Sequence, residues 1–277
     1  MSANAFSLEY RYPQNTGALA YPKAASDICS AISRGLSWHR TTSVILILAM
    51  LGLGAFFLSR EAGIVAFCIF VAAAVFKVIV LATMGVRLEY KMDQNWRNFA
   101  NTRMAPFTYM SKSKRLWEVT SSSGGYDRKY HAGCSIQIQR KNIRVVYSVP
   151  FPFKPSVNAY TLYLPDLKFV FLPDCVYMIQ GASCEALHYE QIRWSSSMTR
   201  FVESSAPEDS QVVDQTWQYV NKKGGPDRRF SYNPMLVVCS YGEMEVNFAN
   251  RRRAKLMLSG TRVSEGIMRL SPSRWHN

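Results

Sequence analysis

The chain has 277 residues and carries 33 Lys and Arg against 19 Asp and Glu, a net charge of +14. Its six cysteines (Cys29, Cys68, Cys134, Cys175, Cys184, Cys239) show no C-x-x-C spacing and no zinc-ligand spacing; on a cytoplasmic domain they are expected to be reduced thiols with no disulfide framework implied, and no metal and no cofactor is expected. The charge is uneven: residues 1–87 hold seven basic against three acidic side chains and residues 88–277 hold 26 against 16, a balance suited to anionic lipid, nucleic acid or phosphate.

Residues 1–40 begin polar and aromatic, with no apolar stretch behind a basic start, so no secretory signal is expected. From Ala24 to Trp38, Ile28, Ala31, Ile32 and Leu36 recur at helical spacing beside Arg34 and Arg40. This predicts a short amphipathic helix, lying at a membrane interface or packed on a globular domain.

Two apolar runs follow, Ser43–Leu58 and Ala62–Gly85, separated by Ser59, Arg60 and Glu61. With its flanks the first run approaches the ~20 residues a helix needs to cross a bilayer, and the second exceeds it. The pair predicts a transmembrane hairpin over 41–85, with spans at about 41–59 and 62–85. Small residues (Gly52, Gly54, Ala55; Ala72, Ala73, Ala74) favour close approach of the two helices, and the same helices offer a route to a homo-oligomer. Lys77 is the one charge inside a run, placed to snorkel toward the headgroups. Arg34 and Arg40 before the hairpin, and Arg87, Lys91, Arg97 and Arg103 after it, place both termini in the cytoplasm of a multi-pass protein, on the premise of a bacterial inner membrane.

Leu88, Met92, Trp96 and Phe99 then form an apolar stripe at helical spacing, predicting a helical stalk over 86–114 limited by Pro106. From Leu116 the period changes to two. Candidate strands are 116–121, 134–141, 143–149, 160–164, 167–172, 175–180, 185–189, 191–196, 216–220, 235–248 and 255–259, with a closing helix near 264–270. The predicted fold is α+β: the hairpin and stalk, then a mainly β cytoplasmic domain over 115–277, sandwich or barrel-like.

The strongest local feature is TWQYVNKKGGPDRRFSYNP, residues 216–234. Consecutive glycines allow backbone amides to converge on an anion, and cations flank them, so Lys222, Lys223, Gly224, Gly225, Asp227, Arg228 and Arg229 form the candidate ligand site. The loop lacks the spacing of a P-loop or of a dinucleotide fingerprint. A secondary basic set comprises Gly124, Gly125, Arg128 and Lys129 in one turn and Arg251, Arg252 and Arg253 in another. His131 and Cys134 are adjacent enough to suggest a nucleophile pair, but nothing else in the sequence assembles a base and an orienting group.

RLWEV (115–119), YDRKYHAG (126–133), LYLPD (162–166), FLPDCVYMIQG (171–181), ALHYEQI (186–192) and WQYVNKKGGPDRRFSYN (217–233) resemble an uncharacterised bacterial domain of unknown function. The last segment is the most specific. The resemblance covers under half the chain. It implies that residues 115–260 are one module and brings no activity, cofactor or catalytic residue.

These features together predict a non-enzymatic binding or sensor module held at a lipid bilayer, with an anionic partner: a nucleotide, a nucleic acid or a lipid headgroup. Two alternatives share the same architecture: a membrane scaffold that recruits a protein partner, and a membrane-disrupting effector of a bacterial defence or toxin system.

Overall fold

The structure is a computed structural model and describes residues 5–10, 25–54, 59–124, 136–249 and 251–270. In chain order its elements are β1 (Ala5–Tyr10), α1 (Ala25–Gly52), α2 (Arg60–Thr83), β2 (Val86–Met92), α3 (Gln94–Met110), β3 (Leu116–Gly124), β4 (Ile136–Asn142) and β5 (Arg144–Val146). There follow β6 (Phe153–Pro155), β7 (Tyr160–Tyr163), β8 (Lys168–Phe171), β9 (Val176–Gln180), β10 (Ser183–Leu187), β11 (Ile192–Glu203), β12 (Gln211–Trp217), β13 (Met235–Phe248), β14 (Arg252–Leu258) and α4 (Thr261–Met268). The fold is therefore α+β, with a β-rich C-terminal part arranged in sheets.

The chain divides into two compact units. The first holds residues 1–98, 147–161 and 167–186, the second residues 99–146, 162–166 and 187–277. The expected single domain over 115–277 is thus split, and segments of the first unit come from the middle of that range.

In the first unit, β1, β2 and β6 form a small parallel sheet, Ala5 pairing with Arg87 and Val86 with Phe153. A second sheet runs β10–β9–β8–β7. The core between them gathers Val86, Leu88, Phe153, Val170, Leu172, Tyr177 and Ile179. α1 completes that core. Its stripe Ile28, Ala31 and Ile32 is buried against these residues, so the amphipathic stretch packs on protein rather than lying on a bilayer.

Residues 86–92 are strand β2, which corrects the expectation of a helical stalk from residue 86. Val86 and Leu88 are fully buried while Arg87 and Glu89 are exposed, an alternation that a strand satisfies and a helix would break. The helix begins only after Asp93, whose Oδ1 accepts the Trp96 amide at 2.7 Å as an N-cap. α3 also continues through Pro106 to Met110. One backbone bond is lost there, and burial of Phe107 and Met110 beyond the proline offsets it.

α1 and α2 pack on each other, with Ala49, Ala73 and Val80 among their buried positions. Ser59 caps α2, its Oγ accepting the Ala62 amide at 3.1 Å. α2 is long and apolar enough to cross a membrane, and only 17% of its most apolar window is buried, which a helix in a soluble core would not show. Val65, Phe67, Ile69, Val75, Val78 and Ile79 all stand outward. The first apolar run continues through residues 55–58, which lie outside the described residues. Lys77 does not simply run along the helix: its Nζ donates to Ser43 Oγ of α1 at 3.0 Å.

In the second unit the strand order is β11–β13–β14–β3–β4, with β12 also on β13. The fourteen-residue β13 is the spine. It pairs with β11 over Val237–Phe248 on one edge, and on the other with β14 over Gly242–Phe248 and with β12 over Met235–Ser240. α4 packs on β13 at Gly242, where an added Cβ would fall 1.9 Å from Ser264 Oγ. Only a glycine admits the helix there.

Candidate functional site

The segment after β12 is a built turn. Val220 and Pro226 form a bridge that closes it, and Asn221 fills its centre. The Asn221 amide donates to the Gly225 carbonyl at 2.8 Å, and its carbonyl accepts the Gly224 amide at 3.0 Å. Its side-chain Oδ1 accepts the amides of Lys223 at 2.8 Å and Gly225 at 3.1 Å. Gly224 takes φ +84°, where a side chain would be strained. The converging amides inferred from the glycines do exist, but the turn's own asparagine occupies three of them. These three amides are therefore not free to meet an anion, and what the turn presents outward is its side chains.

A clasp holds this turn against the unit. Asp227 is buried and accepts from three donors of Arg229: its amide (3.1 Å), its Nε (3.0 and 3.1 Å, to the two oxygens) and its Nη2 (2.5 Å). Tyr219 and Phe230 stack with centroids 4.0 Å apart and planes 12° from parallel. Asn233 accepts the Tyr219 amide at 2.9 Å and donates to its carbonyl at 2.8 Å, copying a strand pair with a side chain. Asp227 and Arg229, both candidate site residues, are thus structural partners of each other. Lys222, Lys223 and Arg228 are exposed and carry no ion pair among the described residues. Asn221, Tyr219, Phe230 and Asn233 were not singled out from sequence. An asparagine two and four residues before the amides it accepts is the local signal that identifies Asn221 as a turn former.

Of the secondary set, Gly124 ends β3, and Gly125, Arg128 and Lys129 lie outside the described residues, as do His131 and Cys134. The Arg251 amide donates to the Phe248 carbonyl at 2.8 Å in the β13–β14 turn. Arg252 turns inward: its Nη2 sits 2.6 Å from Glu118 Oε1 and 3.3 Å from Asp166 Oδ1. Arg253 stays exposed. Glu118, Lys141, Asp166, Arg252 and Arg253 line a cleft of about 300 Å³. Burial of Glu118 raises its carboxyl above the ordinary carboxylate value, against the opposing pull of Arg252. Sequence reading places Arg252 in the secondary basic binding set; its acidic partners lie 134 and 86 residues away, beyond any local signal.

A third charged group also belongs to structure. Arg140 lies between the rings of Trp117 (4.2 Å) and Phe201 (4.6 Å) and bonds Glu203, whose Oε1 also accepts the Tyr241 hydroxyl at 2.9 Å. His188, in the loop before a 3-10 turn over Tyr189–Gln191, takes the Gln191 amide on its carbonyl at 3.0 Å, and burial lowers its pKa. Among the described residues no group of three or more His, Cys, Asp or Glu is placed to hold a metal ion.

No protein-family model, no curated protein and no solved structure matches the chain.

Proposed function

We propose that this chain is a membrane-anchored, non-enzymatic binding module that recognises a phosphate-bearing anion through the turn after β12. The observation that carries the reading is the division of labour within the turn. Asn221, Asp227 and Arg229 fix its shape, while Lys222, Lys223 and Arg228 stand unpaired on its surface. Three cations on a preformed turn lose little conformational freedom on binding. Arg253 and Lys141 provide a second, weaker basic surface at the Glu118 cleft.

The anchor is a two-pass hairpin of α1 and α2, with both termini cytoplasmic. Its support is the outward apolar surface of both helices, the Ser59 cap at the turn, and basic residues concentrated outside the hairpin.

The test is thermal unfolding of the full chain in detergent micelles against nucleotides, cyclic dinucleotides, short RNA and DNA, and soluble lipid headgroups. A ligand of the folded form raises the midpoint. The expected result is a shift with one phosphate class that disappears in Lys222→Glu/Lys223→Glu/Arg228→Glu. A shift that survives the triple variant removes the turn as the site. No shift with any ligand overturns the reading in favour of a scaffold that recruits a protein.

A further inference from the structure

Cys29 and Cys184 come from opposite halves of the sequence and meet in the first unit with their sulfurs 3.7 Å apart. Cys29 lies on α1 and Cys184 on β10. One helical turn beyond Cys29, Ser33 Oγ accepts the Cys184 amide at 3.0 Å, so backbone and side chain of Cys184 are both held against the same face of the helix. A disulfide requires about 2.05 Å between the sulfurs, so the two must close by about 1.7 Å. Both residues are half-buried, open to a small oxidant, whereas Cys175 and Cys239 are fully enclosed and Cys68 stands on the apolar surface of α2.

The two thiols are not equivalent. The Cys184 S–H donates to the Cys29 sulfur. That hydrogen bond favours the Cys29 thiolate and lowers its pKa, while the Cys184 thiol is pushed up by donating and by burial. Cys29 is the attacking sulfur and Cys184 the resolving one.

We propose that Cys29 and Cys184 form a reversible thiol–disulfide site, closed by a peroxide and reopened by a thiol reductant, that staples the start of α1 to β10. The Cys29 thiolate attacks one oxygen of hydrogen peroxide, the O–O bond breaks, and hydroxide leaves, giving a sulfenic acid. Cys184 then attacks that sulfur, the S–O bond breaks, and its hydroxyl leaves as water with the Cys184 proton. Two thiols and one peroxide become one disulfide and two waters. Reduction by two further thiols restores the pair. Because α1 runs without interruption from Cys29 into the apolar segment at Val44, the staple fixes the helix that leads to the membrane segment onto the sheet. This site is independent of the anion-binding turn.

The experiment treats the full chain in detergent micelles with hydrogen peroxide, blocks free thiols with iodoacetamide, and maps disulfides by mass spectrometry without reduction. The expected product is a Cys29–Cys184 linked peptide as the dominant oxidised species, lost on adding dithiothreitol. Oxidation should raise the unfolding midpoint by roughly 5 °C in a dithiothreitol-sensitive way, with no rise in Cys29→Ser. Cys184→Ser should stop at the sulfenic acid, trapped on Cys29 by dimedone. Recovery of both cysteines alkylated after treatment, or oxidation confined to links between chains through Cys68, overturns the proposal. The mapping needs only the wild-type chain, so a variant that fails to fold does not decide the outcome.

Discussion

Glu118 and Arg252 show how a residue that reads as a surface cation becomes structural. Glu118 is 4% exposed at its side chain and Arg252 31%. Burial raises the Glu118 carboxyl above its ordinary 4.5, so the proton is held more tightly in the folded chain than in the unfolded one. The stability from this group is complete below that ordinary value and is lost as pH rises through the raised one. Arg252→Met removes the main compensation, and the expected cost is about 2–3 kcal/mol near neutral pH, less than for a fully buried pair because Arg252 is partly solvated. The deficit should shrink on acidification from about pH 8 to about pH 5 as the carboxylate protonates. Glu118→Gln, which copies the neutral form, should cost under about 1 kcal/mol and flatten that pH dependence. Urea unfolding of the three proteins at both pH values distinguishes these outcomes. A constant Arg252→Met deficit across pH would show that Glu118 is not the group that titrates.

At the scale of elements, the turn after β12 and the β13–α4 contact are the parts whose geometry depends on single glycines or amides. Asn221→Ala leaves the amides of Lys223 and Gly225 without their acceptor and should lower stability by about 1–2 kcal/mol. Gly224→Ala, forced to φ +84°, should cost about 1 kcal/mol. If the turn recognises an anion by its shape, both variants also weaken the ligand-induced midpoint shift while keeping every cation. If they leave that shift unchanged, charge alone is responsible. Gly242→Ala should be costlier than either, because its Cβ would fall 1.9 Å from Oγ and 2.4 Å from Cβ of Ser264 in α4, and Ser264→Gly, which removes both atoms, should partly rescue it. Thermal midpoints of the two single variants and the double variant test this.

The same elements show what sequence discloses. β13 has the same ends in both readings, since its run of β-branched and aromatic residues is long and its neighbours are turn formers. β2 was read as helix because Leu88, Met92 and Trp96 also fit a four-residue period, and the alternation Val86–Leu88 that decides the matter is only two residues long. Its partner β6 lies more than 60 residues away, so no local pattern announces the parallel pair. The stripe Ile28, Ala31 and Ile32 was legible as an apolar helix face, but the surface it covers was not, because a bilayer and a protein core ask for the same residues. The cations of the basic turn were legible, and the asparagine that consumes its amides was not, since glycine pairs advertise freedom rather than the bonds that fill it.

For the whole molecule, the decisive question is whether α1 and α2 cross the membrane together. If they do, α1, buried against protein up to Ile32 and apolar and outward from Val44 onward, would serve two solvents along one helix. Lys77 of α2 bonds Ser43 of α1 across the helix pair, and in hydrocarbon neither group would have water as an alternative partner. In a chain whose own cysteines are replaced by serine, single reporters Ser30→Cys, Ser59→Cys and Ser111→Cys are exposed to a membrane-impermeant maleimide on intact cells. A two-pass hairpin predicts that the Ser59 position is labelled from outside, whereas the other two require permeabilisation. If the Ser59 position also requires permeabilisation, the hairpin lies on one side of the membrane. The Lys77–Ser43 bond would then be an ordinary helix–helix contact. Lys77→Leu sharpens the distinction: in a spanning pair it removes the only charge from an apolar segment at the cost of one hydrogen bond, so insertion should be unchanged or improved. On a one-sided hairpin the same change enlarges an exposed apolar surface, and the expected result is aggregation on extraction into mild detergent.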